Sequence, residues 1–198
     1  MALTLIKEDG AGRADANSYA NVADGDAYFD GHLYASAWTA ATSDRKAAAL
    51  VMATRLIDSV FQFNGFRAHG EQALQWPRER CPDPDSGPLS VLVLGWVGDN
   101  FVEPDLVPAP VVQATCEMAR ELLIADRTAA PAGEGITSIH TGHTDAAGAG
   151  ATGASNNSTT VYSKGDTPAV ISRVAQAMLL KYGAPMDSGS GAVRLVRA

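Results

Sequence analysis

One period constrains this chain more than anything else in it. Leu50, Thr54, Ile57 and Phe61 recur every three or four residues, with Arg45, Arg55 and Gln62 elsewhere around the turn. That spacing gathers the apolar set onto one face of an α-helix. Ser43 stands where a polar cap is wanted, so a helix is expected from Ser43 through Phe61. Three other segments repeat the signal. After caps at Ser18 and Asn21 come Val22, Ala23, Ala27, Phe29 and Leu33, weakened by Gly25, which is a poor helix residue. After Pro108 or Pro110, Val111, Thr115, Met118, Leu122 and Ala125 share a face, with Gln113, Glu117 and Arg120 off it. A last helix opens at Pro168, groups Ile171, Val174, Ala175, Met178 and Tyr182, and ends at Gly183.

Between the second and third helices the chain carries Gly65, Gly70, Trp76, Pro77, Pro82, Pro84, Gly87 and Pro88. So many breakers exclude long elements, and the large apolar residues among them predict a packed loop. Residues 91–97 are β-branched enough for one short strand. Residues 129–166 shift to Ala, Gly, Ser, Thr and Asn and have too little apolar material to hold a core. They read as a long hairpin-like arm, with strands over 136–141 and 159–163 and a tip at 148–157. The expected fold is therefore mainly α, a small four-helix bundle with a packed Trp-Pro loop, a β-hairpin-like arm and an extended tail. One domain spans 1–183, with the arm inserted at 129–166, and 184–198 is a tether and docking tail.

At 198 residues, 46% of them hydrophobic, the chain can bury one core of ordinary size. Its net charge of -7 and pI near 5.0 disfavour a phosphate backbone as the main ligand. A membrane span needs about 20 consecutive apolar residues, and runs such as 91–94 are far shorter, so no membrane partner is expected. Residues 1–9 show no secretory pattern, which points to synthesis in a cytoplasm. In such a compartment Cys81 and Cys116 stay reduced, and the sequons at Asn156 and Asn157 carry no meaning.

The chemical motifs dissolve on inspection. Gly148, Gly150 and Gly153 spell a dinucleotide fingerprint, but no strand leads in and no helix follows. Asp83, Asp85 and Gly87 resemble the start of a calcium loop, yet Leu94 occupies the position that needs a Glu, so a turn is the better reading. His140 and His143 are three apart in a predicted strand or loop, with only Asp145 near them, too few ligands for a metal. No Gly-x-Ser-x-Gly elbow exists, and Cys116 sits on an apolar-patterned helix. Trp38, Trp76, Trp96, Phe63 and Phe66 have the π-faces that stack bases, but 22 acidic residues against 15 basic ones do not make a nucleic-acid groove. Core anchoring is the better account of the tryptophans. No catalytic residue, cofactor or metal is expected, and the chain reads as no enzyme.

Several blocks together resemble a family of phage proteins. They are Leu3-Thr4-Leu5-Ile6 with Asp9-Gly10, Ala16-Asn17-Ser18-Tyr19, Asp26-Ala27-Tyr28-Phe29 and Trp38. Ala48-Ala49-Leu50, Ala53-Thr54-Arg55-Leu56-Ile57-Asp58, Asn64-Gly65-Phe66-Arg67 and Gln72-Ala73-Leu74-Gln75-Trp76-Pro77-Arg78 follow, then Pro108 leading into Ala114-Thr115-Cys116-Glu117. The closing Val193-Arg194-Leu195-Val196-Arg197 also fits. The resemblance is to head-tail connectors, or head completion adaptors, often labelled DnaT-like single-stranded DNA binding proteins.

It implies a structural adaptor in the virion neck of a long-tailed bacteriophage. Such a protein forms a ring, usually a dodecamer, below the portal protein and offers a surface to the next neck or tail protein, a stopper or tail terminator. It lines a channel through which DNA passes without specific binding; the alternative is a single-stranded DNA binding protein. A closing ring needs two different surfaces that fit each other, with aromatic and Arg anchors. Phe63, Phe66, Arg67, Trp76 and Arg78 are more large groups than one loop needs for packing, and are expected at an interface with the portal or a neighbouring subunit. Val193, Arg194, Leu195, Val196 and Arg197 are expected to dock there too, because a frayed end is usually polar throughout. Ile136, Ile139, Val161 and Tyr162 are the expected contact residues of the arm.

Overall fold

The structure, a computed structural model, describes residues 3–86, 101–129, 138–143, 156–161 and 170–186. The chain divides into two compact units, Met1–Arg127 with Val170–Ala198, and Thr128–Ala169. The described residues are mostly helical, with five helices and three small two-stranded antiparallel sheets.

In the first unit, α1 spans Val22–Phe29 and α2 spans Ser36–Thr39. A reciprocal capping box opens α1: Asn21 Oδ1 accepts the Asp24 N–H at 2.8 Å, and Asp24 Oδ2 accepts the Asn21 N–H at 2.8 Å. Gly25, a flaw in the helical pattern, has a packing reason. A Cβ there would lie 2.3 Å from Trp38 Cζ2, so only a glycine lets the indole of α2 rest against α1. The buried ring of Trp38 donates its N–H to Asp26 Oδ1 at 2.8 Å, which satisfies its one polar atom.

The long helix α3, Ser43–Val60, starts one residue after its cap, which is Thr42 rather than Ser43. The Thr42 hydroxyl accepts the Arg45 N–H at 3.4 Å. Leu50, Thr54 and Ile57 are fully buried and Phe61 nearly so, as their spacing predicts. Helix α4 runs Ala109–Ile124, and Pro108 is its cap. Helix α5 is Arg173–Leu179, capped by Ser172, so it begins later than the proline at 168. Helices α1, α2, α3 and α5 all pack against α4. That placement buries every residue from 114 to 119, including Glu117, which the helical pattern put off the apolar face. Ala125, expected on the buried face, caps the helix and is exposed. In α5 the buried positions are Ala175 and Leu179, flanked by Ile171 and Tyr182, whereas Val174 is half exposed.

Strand β1, Phe61–Phe63, continues directly from α3. Strand β2 is Phe66–Arg67 and β3 is Arg78–Glu79, paired Phe66 to Glu79 and Arg67 to Arg78. In the second unit, β4 (Ser138–His143) pairs with β5 (Asn156–Val161), Ser138 opposite Val161 and His143 opposite Asn156. This is the expected hairpin with its arms carried farther toward the tip. The last strand, β6 (Gly183–Pro185), pairs antiparallel with β1, Phe63 opposite Gly183 and Phe61 opposite Pro185. Residues 184 and 185 were read as flexible tether; they are instead sheet of the first unit, and the Met186 N–H continues the contact to the Val60 carbonyl at 2.6 Å. The strand expected over 91–97 lies outside the described residues.

Candidate functional site

The Trp-Pro-Arg loop is where the expected interface residues collect, and three of them are core. Trp76 is 0% exposed, Phe63 2% and Arg78 4%. Phe63 stacks edge-on against Trp76 with centroids 5.6 Å apart, and Trp76 meets Tyr182 at 5.7 Å. Phe61 adds a contact to Phe63 at 5.2 Å. The surplus of large groups is thus explained by a satellite aromatic core whose far wall, Tyr182, comes from the end of the chain. Phe66 (68% exposed) and Arg67 remain at the surface.

Arg78 is buried without a carboxylate bonded to it. Its Nε donates to the Asn64 carbonyl at 2.7 Å, Nη2 to the carbonyls of Gly65 at 2.7 Å and Phe63 at 3.2 Å, and Nη1 to the Gln75 carbonyl and Oε1, each at 3.0 Å. The planar fork thereby holds three successive carbonyls of the turn after β1 and both oxygens of Gln75. Gly65 makes the turn possible: its φ is +76°, and a Cβ would fall 2.2 Å from the Glu79 carbonyl oxygen. Burial lowers the guanidinium's proton affinity.

Next to it lies a second polar knot. The Tyr19 hydroxyl donates to Asp58 Oδ1 at 2.6 Å, and the Tyr19 hydroxyl oxygen itself accepts the N–H groups of Gln75 at 3.0 Å and Trp76 at 3.2 Å. Asp58 Oδ2 also accepts the Gln75 N–H at 3.0 Å. Burial raises the Asp58 carboxyl to about 6 against the pull of these hydrogen bonds. The Ala-Asn-Ser-Tyr, Arg-Leu-Ile-Asp and Gln-Trp-Pro-Arg blocks therefore converge in one hydrogen-bonded knot, whose arrangement clamps the loop to α3.

A third cluster centres on Glu117, whose side chain is 3% exposed. Its Oε1 accepts the Tyr28 hydroxyl at 3.0 Å and lies 3.3 Å from His32 Nε2. Its Oε2 accepts Arg120 Nε at 3.1 Å, and Arg120 Nη2 reaches both Glu117 Oε2 and Glu121 Oε1 at 3.0 Å. Arg127 joins Glu121 at 3.4 Å. Above this network Leu33 is 93% exposed and Tyr34 75%, held where Arg120 Nη1 meets the Tyr34 carbonyl at 3.4 Å.

Two surface depressions among the described residues bear on function. One of about 550 Å³ lies between α4 and α5, lined by Pro110, Val174, Ala177 and Met178 with Arg173 and Lys181 among its walls. The other, of about 580 Å³, is lined by Phe101, Val102, Leu106 and Tyr182 with Asp83 and Glu103. No group of three or more His, Cys, Asp or Glu among the described residues is placed to hold a metal ion. Cys81 and Cys116 are free and buried, and burial raises the first thiol to about 11 and the second to about 12. No helix among the described residues is long and apolar enough to cross a membrane.

The sequence matches the family described as "Putative DnaT-like ssDNA binding protein" over residues 3–198. The chain belongs to that family. No curated protein matches it, and no solved structure does. Of the family-like blocks, those that meet at Tyr19, Asp58 and Arg78 hold the fold rather than present a surface. Ile139 and Val161 lie in β4 and β5; Ile136, Tyr162, Val193, Arg194, Leu195, Val196 and Arg197 lie outside the described residues. Sequence reasoning missed Leu33 and Tyr34 as surface groups because Leu33 fits the α1 period; the helix stops at Phe29, and Gly31 was the only signal that it would.

Proposed function

We propose that this protein is a structural adaptor of a long-tailed phage neck, a member of a ring below the portal that catalyses nothing. The observation that carries this reading is the way the chain spends its charge. Arg78 is sunk among carbonyls, Arg120 and Arg127 lie on Glu117 and Glu121, and Lys7 and Lys46 pair with Asp24 and Asp26. With Arg78 buried and the other four cations paired to carboxylates on a chain of net charge -7, the charge left over is acidic and repels phosphate. Such a surface suits a channel wall along which DNA slides. Leu33, Tyr34, Phe66 and Ile124, each more than half exposed, offer the large apolar and aromatic anchors that subunit contacts use. A small helical bundle meeting portal and tail proteins on different surfaces accounts for both features.

The second reading is single-stranded DNA binding. The family's description speaks for it, and the comparisons name no phage connector. One pair of measurements separates the two. Titration of a fluorescent oligonucleotide at physiological salt is expected to show no binding, while sedimentation is expected to show chains associating in closed rings at high concentration. Tight oligonucleotide binding that weakens steeply with salt would overturn the adaptor in favour of the second reading.

A further inference from the structure

The depression lined by Phe101, Val102, Leu106 and Tyr182 runs on into a smaller hollow of about 270 Å³ that shares Phe101, Val102 and Glu103 with it. Together they form one groove, lined by Phe101, Val102, Leu106 and Tyr182 but with as much polar as apolar surface. Its charged groups are Glu79, Asp83 and Glu103 against the single cation Arg80. None of the ion pairs among the described residues involves those three carboxylates. Carboxylates reach the inner wall as well, since Asp85 and Asp83, after burial itself, raise the proton affinity of the Tyr182 hydroxyl. A ligand for this groove should be extended and should carry both cationic and apolar side chains.

We propose that the groove receives the chain's own carboxyl-terminal segment, Val193, Arg194, Leu195, Val196 and Arg197, donated by a neighbouring copy. The segment supplies the cations the walls lack: when it is extended, Arg197 shares a face with Val193 and Leu195 and Arg194 shares the other with Val196, so either face offers a guanidinium to the carboxylates beside a branched apolar side chain. Residues 187–192, rich in Gly and Ser, precede it and span up to ~20 Å when extended, enough to bridge adjoining subunits. Strand direction favours a neighbour as the donor. Tyr182 lines the groove, and β6 then runs from Gly183 opposite Phe63 to Met186 at Val60, about 13 Å away at strand rise. The chain thus heads away from its own groove, and its own tail would have to double back to enter it, an arrangement that mixing the variants separates from exchange between copies. Such a contact joins two different surfaces, the kind that closes a ring, and so rests on the adaptor reading. Residues 87–100, which join Ser86 to Phe101 beside the groove, are the competing occupant; their one charged residue is Asp99, which cannot neutralise the walls.

Charge exchange in the full chain tests this. Glu79 and Glu103 are exposed, so reversing them leaves the core alone. Sedimentation of wild type, of Glu79→Lys/Glu103→Lys, of Arg194→Glu/Arg197→Glu, and of the four-fold variant is expected to show association, a tenfold or greater weakening in each double variant, and recovery in the combination. Mixing the two double variants should restore hetero-association, because the reversed tail of one fits the reversed groove of the other; a tail bound to its own chain gains nothing from mixing. If association proceeds unchanged in both double variants, the ring stands and the tail contact is overturned, leaving residues 87–100 as the occupant. Wild-type chains that stay monomeric throughout overturn the tail contact too, while the adaptor reading is then decided separately by the oligonucleotide titration.

Discussion

Arg78 and Glu117 are both buried ions, and the protein accommodates them in opposite ways. Arg78 has no anion bonded to it; carbonyl dipoles from a single tight turn and from Gln75 surround its fork. Glu117 has Arg120 in contact and the Tyr28 hydroxyl donating to it, so opposite charge and a hydroxyl share the work. The difference decides what each group controls. Dipoles must be aimed, so Arg78 specifies the path of the backbone from Phe63 to Gly65, whereas a counter-charge tolerates small displacements and chiefly neutralises.

The sharpest way to break this comparison is Arg78→Ala. Removal strips partners from the four main-chain carbonyls of Phe63, Asn64, Gly65 and Gln75, leaves the volume of a buried side chain unfilled, and is expected to cost about 3–4 kcal/mol in urea unfolding. Arg78→Lys should recover little, because an ammonium cannot span the fork's five contacts. Recovery near wild-type stability with Lys would mean that charge, not aimed geometry, holds the turn.

Asp58 gives the next largest effect, and its sign follows from burial. Burial holds its folded carboxyl at about 6, above the ordinary 3.8 that it has in the unfolded chain. Below pH 4 the group is protonated in both states and its contribution is most favourable. As pH rises from about 4 to about 6 the unfolded chain ionises first, so stability falls by about 2–3 kcal/mol. Asp58→Asn should flatten that descent, as read from urea midpoints across the pH range. A descent of the same size in the variant would assign it to other carboxylates.

How much of this was legible in the sequence depends on how far each partner lies along the chain. The α3 face was readable because one helix turned one stripe toward one neighbour, and Leu50, Thr54 and Ile57 are all fully buried. Helix α4 is enclosed by four others, so a single-stripe pattern understated its burial and put Glu117 outside. Phe63, Trp76 and Arg78 looked like spare anchors because their covering wall, Tyr182, stands more than a hundred residues on. Strand β6 was invisible for a local reason: Gly-Ala-Pro has no strand propensity, and only its pairing with β1 makes it a strand. Gly25 spoiled a helical pattern in order to seat Trp38. No separate solvent-facing site was readable among the blocks that carry the family resemblance, since the three most distinctive meet inside the fold.

Glu117→Gln sharpens the other half of the comparison. The amide can still accept from Tyr28, and Arg120 keeps Glu121, so the expected loss is about 2 kcal/mol, smaller than for Arg78→Ala. A double-mutant cycle with Arg120→Gln should return a coupling of about 1–2 kcal/mol. A coupling near zero would show that Glu121 alone neutralises Arg120.

The smallest effect concerns the brace on the dipole side. Strand β6 pairs with Phe61, Gln62 and Phe63, and the Phe63 carbonyl is one of those Arg78 holds, so the strand and the guanidinium fix the same stretch of backbone. A chain ending at Gly183 loses the pairing of Ala184 and Pro185 and the hydrogen bond from Met186 to Val60, whereas one ending at Met186 keeps them. The shorter chain should be less stable by about 1 kcal/mol, the net worth of one or two backbone hydrogen bonds at a sheet edge. Combining the shorter end with Arg78→Ala should cost less than the sum, since both act on the turn after β1, while combining it with Glu117→Gln should add, since the two share no partner. If the first pair adds as cleanly as the second, β6 does not brace the turn, and Arg78 positions those carbonyls without help from the end of the chain.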